Sequence, residues 1–268
     1  MLIDCIIGYI NHNKIITNQS INRYRDNNEL KYCIRSIEKY LPNLNKIHII
    51  LGQNCKPPYW LNLNNKKLNV IKESELYNPI QLNSETKKLY YHKIKNLTEY
   101  FITFDDDFYL NKPFNINNYF YNNKLKMGSV GYSINNINNI SYFNDGHGHI
   151  PILWNKKQYK ISISNLGIYY NIIKYSGLNR YNPWCIMKKY LLSKNLIINS
   201  EIKLFYINNK NINNLDNNIN YYLNYRKNID FININDDYST NINKYKIQIR
   251  KIIYFLNYLF PDKSSFEL

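Results

Sequence analysis

Along the first hundred residues the spacing of apolar positions changes period several times, and each change marks an expected element. "LIDCIIGYI" is β-branched, almost continuously apolar and followed by Asn and His, so it reads as a buried first strand. The period then lengthens. In "DNNELKYCIRSIEKYLPN", Leu30, Cys33, Ile34, Ile37 and Leu41 recur at helical spacing, Asp26 to Asn28 offer caps, and Pro42 stops the run. "NKIHIIL" (45–51) is the next strand, "CKPPYW" a rigid turn, "KLNVI" a further strand, and "SETKKLYYHKIKNL" a helix with Ser84 as its cap. "YFITF" follows as a fourth strand ending at Asp105. Strands alternating with helices predict an α/β fold with a mostly parallel, Rossmann-like sheet flanked by helices.

Beyond Asp105 the pattern weakens. Residues 112–145, rich in Asn and Tyr, read as an inserted loop region. Residues 195–228, with "INNKNINNLDNNIN", are compositionally simple and read as a variable surface region. Helical periodicity returns in "KYKIQIRKIIYFLNYLF", within a closing block over 229–268 that ends in "PDKSSFEL". The whole of 1–268 is expected to form a single domain, since 268 residues at 44% apolar content suffice for a core.

A net charge of +16 ordinarily points to a polyanionic partner. Here the chain has no alanine and abounds in Asn, Ile, Lys and Tyr, the bias of an AT-rich coding sequence, and no nucleic-acid recognition motif accompanies the charge. No specific nucleic-acid partner is therefore expected. Cys5, Cys33, Cys55 and Cys185 are far apart, without a C-x-x-C pair or zinc spacing, and read as reduced, mostly buried thiols. Asp4 interrupts the segment where a signal peptide needs apolar residues, and no apolar run reaches the ~20 residues of a membrane span. The expectation is a cytoplasmic protein with at most peripheral membrane contact through its basic surface.

Three places carry candidate chemistry. In "EYFITFDDDFYL" (99–110), Asp105, Asp106 and Asp107 follow an apolar strand, and ligands of parallel α/β sheets bind at the carboxyl ends of strands. Carboxylates there can hold Mg²⁺ or Mn²⁺ against a diphosphate; an isolated acidic triplet is equally readable as a solvated turn. No G-x-G-x-x-G or P-loop motif occurs, which removes the main support for dinucleotide or P-loop chemistry. In "NDGHGHIPILW", His147 and His149 sit in a Gly-punctuated loop, where a histidine can accept a proton from an attacking hydroxyl. Arg180, in "GLNRYNPW", offers a planar fork for phosphate in a chain that otherwise prefers lysine, although a structural ion pair explains it equally.

These pieces together resemble the Stealth family, which includes bacterial capsular polysaccharide phosphotransferases. "IDCIIGYIN" resembles the family's opening strand, with Asp4 and Asn11 on its polar positions. "RYRDNNELKYCIRSIEKYLPNLNKIHIIL", continuing through "PYWLN" and "LNS" (82–84) to Asp105–Asp107, resembles the second block. "HIPILWNKK" and "NRYNP" resemble the third, and "ININDDYS" followed by "FLNYLFPDKSSFE" the fourth. The resemblance implies a GT-A-like fold and the transfer of a sugar-1-phosphate from a UDP-sugar, such as UDP-N-acetylglucosamine, to a glycan hydroxyl, with release of UMP and with Mg²⁺ or Mn²⁺ as cofactor. It implies catalytic roles for Ser84, Asp107, His149 and Arg180, metal binding by Asp105, Asp106 and Asp107, and substrate binding by Asp4, Asn11, Arg23, Asn83 and Lys88. One position departs from the pattern: Lys88 stands where the family carries a glutamate. That reversal keeps open a glycosyltransferase that releases UDP, and a non-catalytic sugar-nucleotide or glycan-binding relative.

Overall fold

The computed structural model describes residues 1–10, 26–52, 54–77, 87–133, 151–175, 183–207, 214–235, 238–239 and 241–268. The first strand, β1 (Ile3–Tyr9), is buried along almost its full length, as a run that is apolar but for Asp4 requires of a strand covered on both faces. Helix α1 (Glu29–Tyr40) buries Leu30, Cys33, Ile34 and Ile37. It starts at Asn28, whose φ of 67° is left-handed, and the Asn28 amide is met by Asp26 Oδ1 at 2.8 Å. It ends where the Leu41 amide bonds the Ile37 carbonyl at 2.8 Å and Pro42 bars a further turn.

β2 (Leu44–Leu51) and β4 (Tyr100–Asp105) pair with β1 on its two sides, both parallel to it. β3 (Leu68–Lys72) extends the sheet beyond β2, and β8 (Ile152–Asn155) closes the other edge antiparallel to β4, giving the order β3-β2-β1-β4-β8. The chain runs outward from β1 to β2 and β3, then returns to β4 on the opposite side. The gap between the carboxyl ends of β1 and β4 is therefore the topological switch point, where the register sets Gly8 beside Asp105.

A second sheet lies immediately downstream. β5 (Phe108–Leu110), β6 (Phe120–Tyr121), β7 (Lys124–Ser133), β9 (Ile197–Ile207) and β10 (Phe231–Ile234) take the order β5-β10-β9-β7-β6. Its central pairs, β7 with β9 and β9 with β10, are parallel, while β5 and β6 pair antiparallel at the edges. This changes two expectations. Residues 112–133 are not merely a loop but supply β6 and β7, and the supposed variable region holds β9 and a helix over Leu215–Tyr225. Burial of Ile197, Ile202, Leu204, Phe205 and Ile207 decides the matter for β9, whose polar residues had obscured the apolar set. The helix expected over 84–97 also differs. Its described part ends at Lys88 and gives way to a 3₁₀ turn, Tyr91–Lys93, fixed by the Lys93 and Ile94 amides bonding the Tyr90 and Tyr91 carbonyls.

The C-terminal helix (Ile242–Leu259) leads into a buried clasp. Glu267 accepts from Arg35 Nε at 2.7 Å and Nη2 at 2.9 Å, and from the Ser264 amide at 2.9 Å. Phe266 is fully buried, its carbonyl accepts the Asn62 amide, and the Leu268 amide bonds the Trp60 carbonyl. Among the described residues, no helix is long and apolar enough to cross a membrane.

Candidate active site at the junction of the two sheets

Asp105 is the last residue of β4, Asp106 and Asp107 form a turn, and Phe108 opens β5. The acidic triplet is thus the crossing from one sheet into the other. Its flanks are locked: Phe101 to Phe104 and Phe108 to Leu110 are buried, whereas the three aspartates are half-buried. Two bonds from β10 pin the Asp107 carbonyl, from the Ile234 amide at 3.2 Å and Asn233 Nδ2 at 3.1 Å. From beneath, Ser36 of α1 accepts the Leu110 amide at 3.0 Å, and Cys33 Sγ lies 4.0 Å from the Asp105 carbonyl. Burial and the carboxylates of Asp106, Asp107 and Asp105 push the Cys33 thiol well above its ordinary range, which makes it a poor nucleophile.

At the switch point the backbone comes close. A Cβ on Gly8 would stand 3.3 Å from the Tyr91 hydroxyl, so the glycine leaves room for that ring beside Asp105. Lys88 enters from the same side. Its ammonium is 3.0 Å from Asp105 Oδ1 and 3.4 Å from Oδ2, with the side chain 9% exposed. The same ammonium lies 4.4 Å from the centre of the Trp184 ring, within cation–π range. Trp184 belongs to the helix Pro183–Ser193. The Lys88 carbonyl accepts the Tyr159 hydroxyl at 2.6 Å, and Tyr159 is itself fully buried with its ring edge-on to Trp154 at 4.8 Å.

Lys88 and the three aspartates are therefore brought together. Asp4 is not. It lies at the amino end of β1, opposite Phe101, about 13 Å along the sheet from the level of Asp105 at roughly 3.3 Å per residue. Its carboxylate is fully buried and accepts from the Thr98 amide at 2.8 Å, Asn45 Nδ2 at 2.8 Å and the Lys46 amide at 3.1 Å. His48 Nε2 stands 3.2 Å away, and Asn69 Nδ2 lies 3.0 Å from His48 Nδ1. With the Asn69 amide donating, the ring proton sits on Nε2 and faces Asp4. Burial alone would raise the Asp4 carboxyl, but His48, Thr98 and Asn45 outweigh it and hold it below the usual range. This is a fastener of β1 to its neighbours, at the wrong end of the sheet for a ligand at the switch point. Asn11, Arg23, Asn83, Ser84, His149 and Arg180 lie outside the described residues.

Sequence reasoning missed Trp184, Tyr159 and Asn233. Asn233 carried a readable signal, a polar residue inside the apolar strand "FINI"; the two aromatics carried none, since the chain holds 28 tyrosines and 3 tryptophans without a marking pattern.

The donor chemistry suits a hard cation, since carboxylate oxygens are what Mg²⁺ and Mn²⁺ take. Asp105 is engaged by Lys88, and among the described residues no three His, Cys, Asp or Glu side chains converge as a ready cage. Asp106 and Asp107 fit such an ion as part of a shell that substrate oxygens complete.

Residues 23–128 match Stealth protein CR2, conserved region 2. The stretch covers α1, the first four parallel strands' later members, the acidic turn and Lys88. Among curated proteins the chain is similar to the capsular polysaccharide phosphotransferase eps5J of Streptococcus thermophilus, 33% identical over 145 residues, which cover 51% of this chain and 60% of that protein. It is also similar to the capsular polysaccharide phosphotransferase SacB of Neisseria meningitidis serogroup A, 36% identical over 118 residues, covering 42% of this chain and 21% of that protein. The chain spans less than two thirds of the length of either relative. Among solved structures, the apo-form glycosyltransferase GlyE of Streptococcus pneumoniae superposes with a TM-score of 0.48 at 9% identity, covering 100% of this chain and 65% of that one.

Proposed function

We propose that this chain, whose residues 23–128 match conserved region 2 of Stealth proteins, transfers a sugar-1-phosphate from a UDP-sugar to a hydroxyl of a glycan acceptor in capsular polysaccharide synthesis. The observation that carries this reading is the acidic turn at the switch point, with a buried lysine beside it. The names of the relatives, capsular polysaccharide phosphotransferases, support the same reaction type. In this reaction the acceptor oxygen attacks the phosphorus that bears the sugar. A new P–O bond forms, the bond to the UMP oxygen breaks, and UMP leaves with the electron pair.

The chain's own residues divide the work. His149 takes the proton from the acceptor hydroxyl. Arg180 clamps the transferring phosphoryl group, where preorganised positive charge is most effective, and Ser84 donates a hydrogen bond to phosphate or sugar. Asn11, Arg23 and Asn83 contact the donor. Asp106 and Asp107 would hold Mg²⁺ or Mn²⁺, which when bound supplies neutralisation of diphosphate charge. Lys88 favours the same polarity at the strand end, because its ammonium neutralises Asp105 and leaves less negative charge to repel a diphosphate.

The test is to incubate the purified protein with UDP-N-acetylglucosamine, Mn²⁺ or Mg²⁺ and a panel of glycan acceptors, and to identify the nucleotide released. UMP is expected. UDP would replace this reading with glycosyl transfer, in which the bond between the anomeric carbon and its oxygen breaks and UDP leaves. Ligand-dependent stabilisation without turnover on a broad donor panel would leave a binding protein.

A further inference from the structure

Lys88 is held more firmly than a charge-balancing surface lysine needs to be. Both Asp105 oxygens lie within 3.4 Å of its ammonium, and the Trp184 face covers it at 4.4 Å. Its backbone is tied through the Tyr159 hydroxyl into the aromatic packing around Trp154. The side chains of Lys88 and Asp105 are only 9% and 18% exposed, so their attraction is little screened by water. A divalent ion on the Asp105 carboxylate would stand against that ammonium, and like charges in such surroundings repel strongly.

We propose that Lys88 is the resident cation of this site: it occupies Asp105, so that a divalent ion alone binds the strand end weakly and enters instead as its complex with the nucleotide diphosphate. The diphosphate oxygens then supply the ligands that Asp105 withholds, and Asp106 with Asp107 complete the shell. The inference rests on the reading of the strand end as a nucleotide-sugar site. It adds an order of loading, metal with nucleotide rather than metal before nucleotide.

The experiment titrates Mn²⁺ into the intact protein and reads free Mn²⁺ by electron paramagnetic resonance, with and without UDP. The wild type binds Mn²⁺ alone weakly, and UDP tightens that binding. Lys88→Met keeps the apolar stem over Trp184 and removes the charge; it is expected to tighten Mn²⁺ binding in the absence of UDP by about tenfold or more. Lys88→Arg keeps the charge and stays at the wild-type level. Asp105→Asn leaves the Lys88 ammonium uncompensated and is expected to weaken Mn²⁺ binding, and it cancels the gain when combined with Lys88→Met. An unchanged affinity in a folded Lys88→Met protein overturns the proposal, as does a gain that persists in the Lys88→Met, Asp105→Asn double variant. Should Lys88→Met fail to fold, Lys88→Gln is titrated in its place and read by the same outcomes. The titration reads occupancy and not turnover, so a protein that released no UMP would refute the proposed reaction while this result stood or fell separately.

Discussion

Asp107 and Asp4 both sit at ends of strands, yet their surroundings give them different duties. Asp107 is half-buried in a turn whose carbonyl is pinned by β10, and those two bonds run to the backbone and not to the side chain. Asp107→Asn is expected to lower UMP release by about 10²-fold or more while circular dichroism and melting temperature hold, the pattern of a lost charge contact to the reacting groups. His149→Ala should behave likewise, as removal of a general base. Retention of full activity by either variant refutes its assignment. Asp4→Ala should do the reverse. It strands the part-buried Thr98 and Lys46 amides and costs about 3 kcal/mol of stability, read by urea unfolding, while the KM for donor changes by less than about twofold. A large rise in KM with unchanged stability would return Asp4 to the substrate.

At the scale of elements, helix α1 is gripped by two adjacent residues: Ser36 holds β5, and Arg35 holds the closing segment through Glu267. Burial opposes the Glu267 charge, but Arg35 and Ser264 overcome it and hold the carboxyl down to about 2. A folded-state value below the unfolded one contributes stability above the ordinary carboxylate range, and this is lost as pH falls through about 2. Glu267→Ala leaves the Arg35 guanidinium, 11% exposed, without its carboxylate and is expected to cost about 3 kcal/mol, measured by denaturant unfolding at neutral pH. An unchanged midpoint would show that the clasp does not hold α1.

The elements that were legible in the sequence are those whose signals are local. β1, α1, β2, β3, β4 and the last helix each carry an apolar run or a helical period bounded by Pro, Asn or Asp. The second sheet was not legible. Its longest pairing joins Leu125 to Ile197 and depends on no local signal, and β7 and β9 are interrupted by Gly, Ser and Asn in a chain already crowded with Ile, Asn and Tyr. The acidic turn was found because strand ends in parallel sheets have a known use. The partner of Lys88 in Trp184 was not, since a side-chain contact across so long a separation leaves no mark on spacing.

Among the described residues, the buried carboxylates Asp4, Glu29 and Glu267 fall into two sets with opposite pH dependence. Asp4 and Glu267 are held below their ordinary range, whereas burial pushes Glu29 up to about 7 despite the Asn27 bonds that favour its charge. The sign for Glu29 is the reverse of that for Glu267: its contribution is fully present below the ordinary value of 4.5 and is lost as pH rises through about 7. Global stability is therefore expected to decline from pH 5 to pH 8 by roughly 3 kcal/mol on this account. Glu29→Gln, which keeps an acceptor for the Asn27 amide, should flatten that decline; thermal melts of the two proteins across the range decide it, and parallel curves would exclude Glu29 as the cause.

The crossing from β4 to β5 also acts as a ruler. Only Asp106 and Asp107 separate the last residue of one sheet from the first of the other, so the chain there has no slack. Adding or deleting a single residue would turn Phe108, Tyr109 and Leu110 to opposite faces against β10, since strand side chains alternate with a period of two. Length at this point is constrained as tightly as charge. A screen of one-residue insertions along the chain should find this turn intolerant even where every aspartate is preserved, with the defect appearing as failure of the second sheet to assemble before any loss of catalysis could be measured.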